Sequence, residues 1–217
     1  LHPQPMMRLL TTLLLAAVCT ACGGPSRDGN AFTFDEAGMA YRVEFRTENT
    51  VRILVRPAGS PLVTQRLVVD SVPAAPVEVR REAIEHGYAF RTPQLRVEFD
   101  RTRDLFSFRN ARTDALLLAE TARSLRPDTV GGEACYAVTQ RFAGTDDEAL
   151  YGLGQYQTGA LNYKSDTVLL LQANKDIVNP YLVSTRGFGL LWDNYSASEF
   201  RDGGDAFEFT SEVGDAV

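Results

Sequence analysis

The sequence predicts an all-β protein, a two-layer β-sandwich behind an export signal, and three observations lead to that expectation. From Ala31 onward apolar residues recur with period two, as they do in strands that bury one face and wet the other. Clusters of Gly, Pro, Asn and Asp break these runs at short intervals. No convincing amphipathic helix follows the amino-terminal segment. The 217 residues are 44% hydrophobic and 23% charged, the balance of a globular domain with one sizeable core.

The first element is the signal. The apolar run 9–18 directly follows Arg8, is too short to span a bilayer as a helix, and has the length of a secretory h-region. After it, Cys19-Thr20-Ala21-Cys22-Gly23 places a small residue before Cys22, the pattern of bacterial lipoprotein processing, in which Cys22 is diacylated and becomes the new amino terminus. A buried core helix with an incidental cysteine is the weaker alternative, because Gly23, Gly24, Pro25, Ser26 and Gly29 read as a tether. The expected division is therefore a signal peptide with lipobox over 1–22, a flexible tether over 23–30 and the sandwich over 31–217. Leu1 to Pro5 precede the first methionine, so Met6 or Met7 is the expected start.

The strands follow in order. Tyr41, Val43 and Phe45 alternate with Arg42, Glu44 and Arg46, and Val51, Ile53 and Val55 alternate with Arg52 and Arg56. Val77 with Val79, Tyr88 with Phe90, and Leu95, Val97 and Phe99 continue the pattern, followed by 105–109 and the more continuous Leu116-Leu117-Leu118. Turn chemistry separates them at 56–61, 85–87, 100–104 and 110–114. In the last third, Tyr151-Gly152-Leu153-Gly154-Gln155 opens a glycine-punctuated stretch. Strands are expected at 167–171, 181–183, 187–192 and 206–210, with a polar loop from Gln172 to Asn179 ending at Pro180. The sequence stops at Val217 without a polar tail, which reads as a domain truncated at its carboxy-terminal end.

Several chemistries are unpromising. A net charge of -6 leaves no basic face for phosphates, so nucleic acid is not an expected partner. Gly152-Leu153-Gly154 lacks the third glycine of a dinucleotide fingerprint, position 157 being Gln, and no helix follows to receive a phosphate. With the signal removed only Cys22 and Cys135 remain, so no intrachain disulfide is expected. His86 and Cys135 cannot supply the roughly four ligands of a zinc site. No cofactor and no metal are expected, although carboxylate-only calcium sites stay open. His86, within Glu85-His86-Gly87, reads as a solvated turn residue rather than a catalytic base, and Asn194-Tyr195-Ser196 as an incidental sequon. The run Asp146-Asp147-Glu148 reads as a solvated turn, since neighbouring strand residues point to opposite faces. The loop Gln172-Ala173-Asn174-Lys175-Asp176-Ile177-Val178-Asn179-Pro180 gathers hydrogen-bonding groups between two apolar strands. It either presents binding groups on a rigid scaffold or is a plain polar connection, and both readings stay open.

Tyr151-Gly152-Leu153-Gly154-Gln155, the loop Asn174-Lys175-Asp176 and the stretch from Asn179-Pro180-Tyr181 through Leu190-Leu191-Trp192-Asp193-Asn194 resemble the amino-terminal domain of glycoside hydrolase family 31. This is the α-glucosidase and α-xylosidase group, and the version closest in pattern is that of bacterial α-xylosidase-like enzymes. The stretches 92–99 and 106–110 fit the same pattern. The resemblance implies a galactose-mutarotase-like β-sandwich packed against a (β/α)8 barrel whose two aspartates cleave α-linked glycosides with retention. That barrel is absent from these 217 residues, so the chain itself is expected to hold no catalytic residue. In the family, the sandwich also lends a loop to the active-site mouth, where an aspartate preceded by a basic residue bonds sugar hydroxyls. Lys175-Asp176 matches that position, which makes Asp176 the expected substrate-binding residue, with Lys175 and Asn174 as companions. Trp192 and Tyr195 could stack on a sugar, but residues in or beside an apolar strand are more often core.

The expectation is thus the lipid-anchored amino-terminal domain of an exported α-glycosidase of the bacterial cell envelope, inactive alone. Its full-length parent would remove terminal α-linked xylose or glucose, with the barrel of the same polypeptide and an α-linked oligosaccharide as partners. A stand-alone glycan-binding lipoprotein is the rival from another class. A mutarotase-like isomerase would need a histidine and a carboxylate in the sandwich cleft, and His86 in a turn argues against it.

Overall fold

The structure, a computed structural model, describes residues 24–61, 68 and 75–217, so Cys22 and the signal lie outside it. The described residues form sixteen strands and no helix. An antiparallel meander opens the fold: β1 (Ser26–Asp28), β2 (Ala31–Glu36), β3 (Met39–Thr47) and β4 (Thr50–Pro57). The period-two pattern acts as expected in β3, where Tyr41, Val43 and Phe45 are buried while Arg42, Glu44 and Arg46 form ion pairs on the other face. Residues 26–28 correct the expectation of a tether. They pair with Ala31–Thr33, and Arg27 donates to the carbonyls of Val77 and Val79 and lies over the Phe32 ring. Main-chain pairing and a guanidinium set over an aromatic ring hold a segment whose composition alone reads as flexible.

Nine strands make the second layer. β5 (Arg80–Ile84), β6 (Gly87–Arg91), β7 (Leu95–Asp100), β8 (Leu105–Asn110), β9 (Leu116–Val130) and β10 (Glu133–Ala143) pair sequentially. β16 (Ala206–Gly214) then adds to β10, β15 (Ser198–Asp202) to β16, and β12 (Thr167–Leu170) to β15. The hairpin of β9 and β10 has no counterpart among the expected strands beyond Leu118. It turns at Gly131 and Gly132, both at positive φ (61° and 87°), directly between the paired Val130 and Glu133. Two-residue hairpin turns of this kind need positive φ at both centres, which glycine adopts without strain.

Three further strands, β11 (Leu150–Gln155), β13 (Ile177–Ser184) and β14 (Phe188–Leu191), form the last sheet in the order β11-β13-β14. β13 begins at Ile177, four residues ahead of the expected strand, so the polar loop is shorter than predicted. Pro180 is tolerated because the β11–β13 register shifts between Gly152 and Gly154 there, and its carbonyl accepts from the Trp192 N–H at 2.8 Å.

One core cluster joins Phe32, Phe34, Tyr41, Val43 and Phe45 of the first sheet to Phe90, Val97, Phe99 and Phe106 of the large one. The other joins Leu150, Leu153, Leu182 and Trp192 to Phe142, Phe200, Phe207 and Phe209. The nine-stranded sheet is therefore one complete layer, and the four- and three-stranded sheets sit side by side as the other. Phe108 and Val217 touch both clusters. A polar knot within the nine-stranded sheet reaches the other layer through Arg123 and is centred on Glu120. Its carboxylate accepts from the Phe106 N–H at 2.8 Å, from Arg123 at 2.8 Å and from Gln140, and Arg123 lies over the rings of Tyr41 and Phe106. Burial pushes the Glu120 carboxyl above its ordinary range, with Arg123 opposing the shift.

Candidate functional site

The loop 171–176 leaves β12 and enters β13. Its backbone is satisfied by its own side chain: Gln172 Nε2 donates to the Asp176 carbonyl at 3.0 Å, and Gln172 Oε1 accepts from the Val178 N–H at 3.1 Å. A loop braced this way needs no help from its other polar residues. Asn174 and Lys175 are accordingly exposed and Asp176 half-exposed. Among the described residues the Asp176 carboxylate has no hydrogen-bond or ion-pair partner. The three expected binding residues therefore sit together on one turn, with their side-chain groups available to a ligand.

What fixes the loop's position is the approach of β11 to β13. A Cβ on Gly152 would stand 2.2 Å from the Tyr181 carbonyl oxygen and one on Gly154 2.0 Å from that of Ile177, and both residues hold positive φ. Only glycine allows that approach. The motif dismissed as a phosphate loop thus has a structural cause: it seats the first residue of β13, immediately after Asp176.

An aromatic residue that senses the turn is Tyr156, which the sequence reasoning missed. Its hydroxyl donates to the Leu153 carbonyl at 3.0 Å, and its ring meets Tyr163 edge-on. Burial, then Tyr163, then the charge of Asp176 push its phenol up to about 12. Gln172, the brace, was also missed as an individual. Its signal was only its place at the end of an apolar strand.

Such a turn offers an acceptor for two hydroxyls and adjacent donors from Asn174 and Lys175. It offers no general acid or second carboxylate at catalytic spacing. Beside it the outward face of β13 and β14 is apolar: Ile177, Tyr181, Val183 and Leu191 are all exposed, with Tyr181 lying across Gly189.

Other residues singled out in the sequence go elsewhere. Glu148 corrects the reading of 146–148 as solvated: it is 3% exposed and accepts from the Ser184 hydroxyl, because the chain turns inward there to start β11. Trp192 is core, stacked on Phe209, with its indole N–H donated to Ser211 at 2.8 Å. Tyr195 is half exposed and donates to Asp193 at 2.8 Å. His86 is solvated in the turn between β5 and β6. Cys135 is buried and free. Among the described residues no three His, Cys, Asp or Glu side chains cluster as metal ligands.

Residues 40–200 match the family described as the glycosyl hydrolase 31 N-terminal galactose mutarotase-like domain. The α-xylosidase of Saccharolobus solfataricus is 41% identical over 70 residues, 28% of this chain and 10% of that protein. The crystal structure of a family 31 α-xylosidase from Xanthomonas citri superposes with a TM-score of 0.72 at 30% identity, over 81% of this chain and 20% of the enzyme. A family 31 α-xylosidase from a soil metagenome, complexed with xylose, shares the fold with a TM-score of 0.77 at 23% identity, over 90% of this chain and 31% of the enzyme. The chain thus spans between a tenth and a third of these relatives.

Proposed function

Because the chain belongs to the family of glycosyl hydrolase 31 N-terminal galactose mutarotase-like domains, we propose that it is the amino-terminal sandwich of an exported, lipid-anchored α-glycosidase acting on terminal α-linked xylose or glucose. In this reading the catalytic barrel belongs to the same polypeptide, and the turn 174–176 reaches the mouth of its active site. The observation that carries the reading is the Asp176 carboxylate, held on a self-braced loop with no protein partner among the described residues. The anchor would be Cys22, in the cell envelope.

The test is kinetic. Asp176→Ala in the full-length enzyme removes hydrogen bonds to a charged acceptor, worth about 1.5 to 3 kcal/mol, so kcat/KM falls by roughly one to two orders of magnitude. Asp146→Ala, at an exposed aspartate, leaves it unchanged. Equal kinetics in the two folded variants would reduce the turn to a connection. Fatty-acid labelling that disappears in Cys22→Ser is expected for the anchor, and labelling that persists removes the anchor from the proposal.

A further inference from the structure

The two small sheets are neighbours in one layer, yet they do not pair with each other. Between the outer edge of β4 and the outer edge of β14 lies a cleft of about 650 Å³. Val51, Ile53 and Leu54 line one side, Phe188 and Leu190 the other, and Phe108, Leu118 and Phe142 of the large sheet contribute to its lining. A gap between two strand edges above an apolar floor is the shape left by a missing strand.

Val217 already occupies one end of it. Its N–H donates to the Val55 carbonyl at 2.9 Å and its carbonyl accepts from the Val55 N–H. That double exchange is the hydrogen-bonded pair of an antiparallel ladder. It fixes the register of anything that continues it: hydrogen-bonded pairs recur every second residue, so the next fall at Ile53 and Val51, the β4 residues whose amides face the cleft. Val217 packs on both core clusters, and side chains two residues apart share a face.

We propose that this slot takes one more strand, laid antiparallel to β4 by the polypeptide directly beyond Val217 in a longer chain, with apolar side chains at its second and fourth positions. The inserted strand offers its free edge to β14 and joins the four- and three-stranded sheets into one continuous layer facing the nine-stranded one. Arg52 of β4 already reaches Asp193, just beyond β14, at 3.3 Å. The inference is independent of what the 174–176 turn binds.

Two extended chains test it, each carrying five added residues. In one the added segment is Thr-Val-Thr-Val-Thr, and in the other Val-Thr-Val-Thr-Val, which turns the valines outward. Amide hydrogen exchange at Ile53 and Val51 is expected to slow by at least about tenfold in the first relative to the unextended chain, and far less in the second. Unchanged exchange in both extended chains overturns the slot, and equal slowing in both overturns the register. Protection that appears in the unextended chain as concentration rises, together with a doubled mass, makes a second copy the occupant and overturns the assignment to the same polypeptide.

Discussion

At the scale of single residues, the polar groups divide into those satisfied by the fold and those the fold leaves without a protein partner. Glu120 is the clearest of the first kind: its side chain is 1% exposed, and Arg123, its partner at 2.8 Å, is 4% exposed. Removing Glu120 leaves the buried Arg123 with only Asp104, at 3.3 Å, to balance its charge among the described residues, and leaves the Phe106 N–H without its acceptor. Glu120→Ala should therefore lose about 3 to 5 kcal/mol in urea unfolding, while replacing both residues with apolar ones of similar volume recovers most of it. A single variant within about 1 kcal/mol of wild type would show the knot to be incidental. Asp176 is of the second kind, and its isolation was not legible in the sequence. Resemblance pointed to its position; the brace by Gln172 and the nearby Tyr156 phenol depend on how β11, β12 and β13 come together. Glu148 shows the opposite failure, since an acidic run reads as solvent-facing until the chain turns one of its members inward.

At the scale of elements, alternation was readable wherever it is strongly apolar against charged, as in β3, β4 and β7. The β9 and β10 hairpin escaped because beyond Leu118 most of β9 is exposed and includes Arg126, Pro127 and Asp128, so the apolar signal fades while main-chain pairing continues. Gly131-Gly132 was the cue that could have found it. The glycines of β11 were visible, but their cause was not. Gly154→Ala must both keep φ at +120° and hold a Cβ 2.0 Å from the Ile177 oxygen, so it should cost about 2 to 5 kcal/mol. Gly203→Ala, whose Cβ would first meet an atom at 3.6 Å, is the matched control and should be nearly silent. Comparable midpoints for the two in denaturant unfolding would mean that the close approach of β11 to β13 relaxes freely.

At the scale of the whole molecule, a single nine-stranded sheet shared by two cores explains why an all-β sandwich could be anticipated while its sheet order could not. The pairings of β10 with β16 and of β12 with β15 join strands far apart in sequence, and no local pattern announces them. That order also has a consequence in time. From β1 to β10, pairing partners are always adjacent along the chain, so the half built around Phe90 and Phe99 can close as soon as it has been synthesised. β10 keeps an open edge until Ala206–Gly214 arrives, because its second neighbour is β16. Non-local pairing is the slow step in β topologies, and an exposed edge during that wait invites aggregation. In pulse-labelled refolding, amides of β6 to β8 should gain protection before those of β15 and β16, and simultaneous protection would contradict that sequence. For a chain exported as proposed above, the vulnerable interval opens when β10 emerges and closes only with β16, which makes that span the place where a chaperone would matter most.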